Sequence, residues 1–249
     1  LGEESCRHDN VVLRDVARDL SGVRSATVRV ETLEALVEWR SPLAVSVTEL
    51  HSDLVTDAAR MRDGVLSESR FIEDLVGRLA RVRASVDGWT LSPELVPTTL
   101  GLRRTYRRGR RGMASAYADA SSDRFHEWRK RVKYLRHQME VLTAVDSEKM
   151  PTITASFVEL GDGLGLDHDL ADLAGAPAVS ASRTEQGELL VAIAQRRKEL
   201  QADLQPLAER LYAQTPRDFV RDMTTFWEER GSGVPSHAEL HTGPETGLL

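Results

Sequence analysis

The sequence predicts an all-α protein, and three observations carry that prediction. Apolar residues recur at spacings of three and four along most of the chain, the period of helices buried on one side. Alternating β-branched runs bounded by turns, which mark strands, are scarce. The 249 residues are 41% hydrophobic and 29% charged, the composition of a folded, water-soluble chain able to bury a sizeable core.

The elements follow in order. Glu4 to Leu20 reads as a helix stopped by the Ser21-Gly22 turn, and Val23 to Trp39 as a second. Pro42 opens a third after Ser41, helical in pattern from Leu43 to about Arg83, with a break expected around Gly64. Asp87-Gly88, Ser92-Pro93 and Val96-Pro97 mark a loop at mid-chain. Leu100 to Ala118 then reads as a basic helix, and Ser122 to about Val145 as another. Pro151 starts a helix expected to end in a turn at Gly161, Gly163 and Gly165, and Asp167 to Leu173 begins the next with Asp167 as its N-cap. Arg183 to about Ala213 and Pro216 to Arg230 complete the helices. The expected organisation is a first helical half over 1–96, a second over 97–230, and a disordered tail over 231–249. Similar turns at Leu20 to Arg24 and Leu164 to His168, each followed by an apolar helix, hint at a degenerate duplication.

Several function classes fall away. No run approaches the length of a membrane span, and no secretory leader is visible. Cys6 is the single cysteine, which excludes an internal disulfide or a cysteine zinc cluster and fits a reducing cytosol. There is no phosphate-binding glycine loop, no Gly-x-Ser-x-Gly elbow and no pair of catalytic carboxylates.

Charge is distributed unevenly. The whole chain carries −6, yet Gly101 to Arg136 holds twelve Lys/Arg against three Asp/Glu. A local field of that sign, not the sum, decides what binds. In Asp123 to Thr143, the residues Phe125, Trp128, Val132, Leu135, Met139 and Leu142 draw one apolar stripe. At about 100° per residue, His126, Arg129, Lys130, Lys133 and His137 share the opposite face, with Arg136 on its flank. On the preceding helix Arg103, Arg107 and Arg110 share a face, with Arg104, Arg108 and Arg111 alongside. Such rows repel one another unless an anion or acidic helices come between them. Arginine dominates, and its planar fork favours bidentate phosphate contact. The two helices are expected to lie antiparallel and adjacent, so that their cations converge. Solvated, unliganded helix faces remain the alternative.

Phe125-His126-Glu127-Trp128-Arg129-Lys130-Arg131-Val132-Lys133-Tyr134-Leu135-Arg136 closely resembles the His-x-x-Arg-Lys-x-x-Lys-x-x-Arg pattern of the CHAD domain, the conserved histidine α-helical domain. Gly101 to Arg111 resembles that family's basic helix, and Leu160-Gly161-Asp162 through His168-Asp169-Leu170 its Gly-rich turn before a His-Asp step. Leu13-Arg14-Asp15 with Leu20 to Arg24 resembles the matching region of the first half. The resemblance covers roughly Leu1 to Arg230. It implies two pseudo-symmetric helical bundles around a central basic channel that binds inorganic polyphosphate, in the cytoplasm and at polyphosphate granules. The family's first half opens with a His-bearing basic helix that nothing before Leu1 supplies, and Ser25 stands where the family tends to place an Asp.

The expected polyphosphate contacts are therefore Arg103, Arg104, Arg107, Arg110, Arg111, His126, Arg129, Lys130, Lys133, Arg136 and His137. Arg14 and Arg24 are carried over from the first half. His168 joins them as part of a helix start whose amides favour anions. Tyr106 and Tyr134 border the basic faces, where each is either a hydroxyl donor or a partly buried ring with a local partner. Among cations, His126 is expected to be harder to protonate, and to be either a phosphate ligand or a structural hydrogen-bonder. No metal or other cofactor is expected, because Asp167-His168-Asp169 lacks a further ligand at a recognisable spacing. No enzyme activity is expected either, since the basic helices lack carboxylates to hold Mg²⁺ beside a phosphate. Nucleic acid is the competing partner, disfavoured because Phe125 and Trp128 lie on the core-facing side.

Overall fold

The computed structural model describes residues 3–41, 43, 47–88, 96–143, 150–181 and 186–228. Over these residues the chain is all-α, with ten helices and no strand. The expected disordered tail, residues 89–95 of the mid-chain loop and the expected helix start at Arg183 lie outside the described residues, whereas Val96-Pro97, read as part of that loop, opens a helix instead. The chain forms two compact units, one made of Leu1–Glu94 with Leu164–Asp203, the other of Leu95–Gly163 with Leu204–Leu249. They are not successive halves of the sequence: residues 164–203 belong with the N-terminal stretch.

The first unit begins with α1 (Glu3–Asp19) and α2 (Ser21–Trp39). The Ser21-Gly22 turn does not form. Leu20 keeps helical angles, its N–H bonds to the Val16 carbonyl, and its own carbonyl accepts from Arg24 N–H. Next come α3 (Thr48–Ser67) and α4 (Ser69–Asp87). Their break falls at Glu68, not at Gly64, which is a helical position with no neighbour within 4 Å of a Cβ placed there. The Ser67 hydroxyl donates to the Gly64 carbonyl at 2.9 Å, and Glu68 N–H to Val65, which closes α3 there. Because α2 packs on α3 and α1 on α4, the four helices form two interrupted rods laid side by side as a hairpin.

Apolar residues of α2 and α3 share one buried cluster with Leu170 and Leu173, Val179, and Leu189, Ala192 and Ile193. These come from α7 (Met150–Ala174), α8 (Pro177–Ala181), a short helix the sequence did not suggest, and α9 (Gln186–Leu211). The α7 helix corrects the sequence reading twice. It runs straight through Gly161, Gly163 and Gly165, so no turn ends it there. Asp167 is therefore mid-helix and not an N-cap. It is 1% exposed and accepts from the Arg197 guanidinium at 3.0 and 3.2 Å and from the Gln201 amide at 2.8 Å. A buried carboxylate survives only when its oxygens are bonded in this way.

The second unit contains α5 (Val96–Asp119), α6 (Ser122–Thr143) and α10 (Pro216–Glu228), with α10 packed on α5. Ala120, at φ 52°, turns the chain between α5 and α6 in the left-handed conformation that ends many helices. The two helices pack against each other, and Gly112 sets the closeness of the approach. A Cβ at Gly112 would lie 3.0 Å from the Trp128 ring, and one at Gly109 would overlap Tyr212. In the same way, a Cβ at Gly163 would meet Leu204 at 2.6 Å, so the glycine read as a turn residue is a packing residue. Tyr106 and Phe219 stack at 4.0 Å between centroids, with Tyr212 and Phe157 around them. Thr215 caps α10: its hydroxyl accepts from Asp218 N–H at 3.2 Å and donates to the Asp218 carboxylate, which holds that carboxyl below its usual range.

Candidate polyanion-binding site

The α6 apolar stripe is the buried one, with Phe125, Trp128, Val132, Leu135 and Met139 no more than 2% exposed. That burial fixes the opposite face, where the His-x-x-Arg-Lys-x-x-Lys-x-x-Arg residues project. Lys133 is exposed and Arg129 half-buried. Among the described residues no carboxylate pairs with either cation. The others are held by acids. Lys130 donates to Glu127 at 2.6 Å, and this bond is the main reason the Glu127 carboxyl lies below its usual range. Arg136 is gripped twice, by Glu140 at 2.8 Å and by Asp162 of α7 at 2.7 Å. His137 shares the same Glu140 at 2.9 Å. The Arg136 bond, then the His137 bond, hold the Glu140 carboxyl down. His126 is half-buried on the same face.

On α5, Arg103 is half-buried, and Arg104, Arg107, Arg108, Arg110 and Arg111 are exposed. Among the described residues none of the six has a carboxylate partner. Among the described residues no acid relieves the repulsion expected along this helix, and the five exposed guanidiniums stand open to an outside anion.

The two rows do not converge as the sequence suggests. Gly101 lies against Gln138 and Gly112 against Trp128, which sets the antiparallel register and the meeting faces. Measured from those faces at about 100° per residue, Arg103, Arg107 and Arg110 lie about 130–170° round α5. His126, Arg129, Lys130, Lys133, Arg136 and His137 lie about 120–180° round α6. The principal rows thus stand back to back on this hairpin. What flanks the α5–α6 seam, on the side away from the core, is the secondary row Arg104, Arg108 and Arg111 with Arg131 and Tyr134.

The remaining expected residues fall elsewhere. Tyr106 does not border the basic face. It is fully buried, and its hydroxyl donates to the Leu211 carbonyl at 2.9 Å and the Gln214 carbonyl at 3.3 Å, with burial pushing its pKa up to about 12. Tyr134 is 56% exposed. Arg14, Arg24 and His168 belong to the first unit: Arg14 lies 3.9 Å from Asp15, Arg24 is exposed, and His168 sits within α7 rather than at a helix start. Sequence reasoning missed Arg131, which lies on the α5 side of α6, and Asp162, whose reach to Arg136 spans 26 residues and leaves no periodic trace. Glu140, one turn after Arg136, was legible as an i, i+4 partner.

The family model of the CHAD domain matches residues 2–176, most of the chain. The chain is a member of the CHAD domain family. The match takes in α1 to α7, and so both basic helices and the Gly-rich stretch within α7. No curated protein and no solved structure matches the chain. Among the described residues of this CHAD domain, no group of three or more His, Cys, Asp or Glu is arranged to hold a metal ion, and no helix is long and apolar enough to cross a membrane.

Proposed function

We propose that this CHAD domain binds inorganic polyphosphate without transforming it, and that the α6 ridge led by Arg129 and Lys133 is its first seat. The observation that carries the reading is the pairing pattern on a face that bears the family's residue pattern. Arg129 and Lys133, one turn or about 6 Å apart, have no acid partner among the described residues. Lys130, Arg136 and His137 stand beside them, held by carboxylates that a denser anion can replace. Phosphates strung without bases or sugars need only closely spaced cations, which one helix edge supplies.

The ridge has few carboxylates to spare for a metal, since Glu127, Glu140 and Asp162 are spent on cations. This supports retention over phosphoryl transfer, which needs metal-binding carboxylates beside the phosphates. Polymer long enough to leave the α6 ridge meets the α5 arginines on the other side of the hairpin, so long chains bind more tightly than short ones. Recruitment to polyphosphate granules follows from the same contacts.

The test is retention of defined-length polyphosphate by the chain carrying Arg129→Gln and Lys133→Gln. Loss of binding with an unchanged helical circular-dichroism spectrum supports the reading. Undiminished binding overturns it.

A further inference from the structure

A second cationic surface lies on the opposite side of the α5–α6 seam from the core, and it differs from the α6 ridge in containing an aromatic ring. Tyr134 is 56% exposed, the one exposed aromatic among the side chains described. Its hydroxyl has no hydrogen bond and its ring no aromatic partner among the described residues. The core has no use for it: Leu135 on its other side is fully buried, while Tyr134 points to water.

Arginines surround that ring. The Gly101–Gln138 and Gly112–Trp128 contacts put Tyr134 level with the stretch between Arg104 and Arg108 on α5. Those two arginines are exposed and one helical turn apart, and neither has a carboxylate partner among the described residues. Arg131 stands one turn before Tyr134 on α6. Its nearest acid, Glu127 at 3.6 Å, is already bonded to Lys130 at 2.6 Å.

We propose that this surface binds single-stranded nucleic acid, with a base stacked on Tyr134 and the flanking phosphates on Arg104, Arg108 and Arg131. A bare phosphate polymer gains nothing from an exposed aromatic ring, whereas every nucleobase has a face to lay on it. The guanidinium planes add further stacking surfaces. The one amide beside this group, Gln138 one turn beyond Tyr134, lies half-buried against Gly101 with its Oε1 buried, so the binding is sequence-tolerant. The proposal does not depend on polyphosphate occupying the α6 ridge, because Tyr134, Arg104, Arg108 and Arg131 flank the seam and include neither Arg129 nor Lys133, although Lys130 and His137 stand one turn from Tyr134.

The experiment compares two polyanions of equal length and charge by fluorescence anisotropy with the full chain: a short labelled oligothymidylate, and the abasic oligodeoxynucleotide that has the same phosphates and no bases. The native chain favours oligothymidylate by about tenfold, the size of one base–aromatic stack. Tyr134→Ala removes that preference and Tyr134→Phe keeps it. Arg104→Glu with Arg108→Glu weakens both oligonucleotides. Tyr134 is exposed, so its variants fold, which circular dichroism verifies. Equal affinity for the two probes, or a preference that survives Tyr134→Ala, overturns the proposal. The ratio is read without polyphosphate, so its failure is separate from any failure at Arg129 and Lys133.

Discussion

Replacing Arg129 and Lys133 by glutamine gives the sharpest test of the α6 ridge, because the pairing pattern sets the expected salt dependence. A cation that neutralises a phosphate on a single-stranded polyanion contributes about −0.7 to the slope of log K against log salt. If only the two cations without acid partners engage polyphosphate, the slope is about −1.4. If the polymer also displaces Glu127 from Lys130 and Glu140 with Asp162 from Arg136, four cations count and the slope approaches about −2.8. The double substitution therefore makes the slope shallower by about 1.4 in either case, and its remaining value reports how far the paired cations were recruited. The assay is polyphosphate binding by anisotropy or calorimetry across a salt series, with circular dichroism to confirm folding. A double variant whose slope equals that of the native chain would refute the assignment of Arg129 and Lys133, however weak its binding.

Four further outcomes follow from the ridge and from the packing beneath it. Glu127→Gln frees Lys130 on the ridge, so polyphosphate affinity rises severalfold, and the slope steepens by about 0.7 if the native polymer leaves that ion pair intact. Lowering pH acts in the same sense: Glu127 and Glu140 have depressed pKa values, so they release their cations only as pH falls through the lower end of the carboxylate range, and affinity climbs there. Tyr106, raised from an ordinary value near 10 to about 12, stays neutral in the fold at a pH where the unfolded chain ionises. Its contribution is complete below about pH 10 and is lost as pH rises towards 12, a cost of about 3 kcal/mol seen as a falling denaturant midpoint. Burial raises Tyr212 in the same direction, so Tyr106→Phe reduces this alkaline sensitivity without abolishing it. Gly109→Ala and Gly64→Ala have opposite signs. The first forces a methyl into Tyr212 and destabilises by about 1–3 kcal/mol, whereas the second meets nothing and gains about 0.5–1 kcal/mol of helix propensity, both measurable by chemical denaturation.

Legibility in the sequence followed the range of the forces involved. The α6 stripe from Phe125 to Leu142 was readable because one period, repeated over about five turns, records which side is buried. The cations opposite it were readable for the same reason. Glycine misled where its role was contact with a distant residue. Gly163 makes room for Leu204, 41 positions on, and nothing local separates that use from a turn. Asp167 misled in the same way, since an acid after a glycine looks like a cap until Arg197 and Gln201 arrive from α9. Tyr106 was ambiguous because one residue type serves both a wet rim and a buried hydrogen bond, and the carbonyls that decide it come from Leu211 and Gln214.

The facing of the basic rows is the point at which periodicity alone had to fail. A helical wheel states which residues share a side of one helix, but not where the neighbour sits. That was settled by Gly112, whose missing Cβ admits Trp128 at 3.0 Å, and by Gly101 against Gln138. Those contacts point Arg103, Arg107 and Arg110 away from α6, and His126, Arg129 and Lys133 away from α5. The back-to-back arrangement separates the two principal rows by a helix diameter or more, about 10 Å, close to the screening length at physiological salt. This separation spares the principal rows mutual repulsion with no acid between them among the described residues, while Arg104, Arg108 and Arg131 stand together beside the seam. It also makes each row a separate edge for an anion, so charge reversal on α5 and on α6 should weaken long polyphosphate additively, with a coupling below about 0.5 kcal/mol. A larger coupling in that double-mutant cycle would mean that the two rows grip the same phosphates after all.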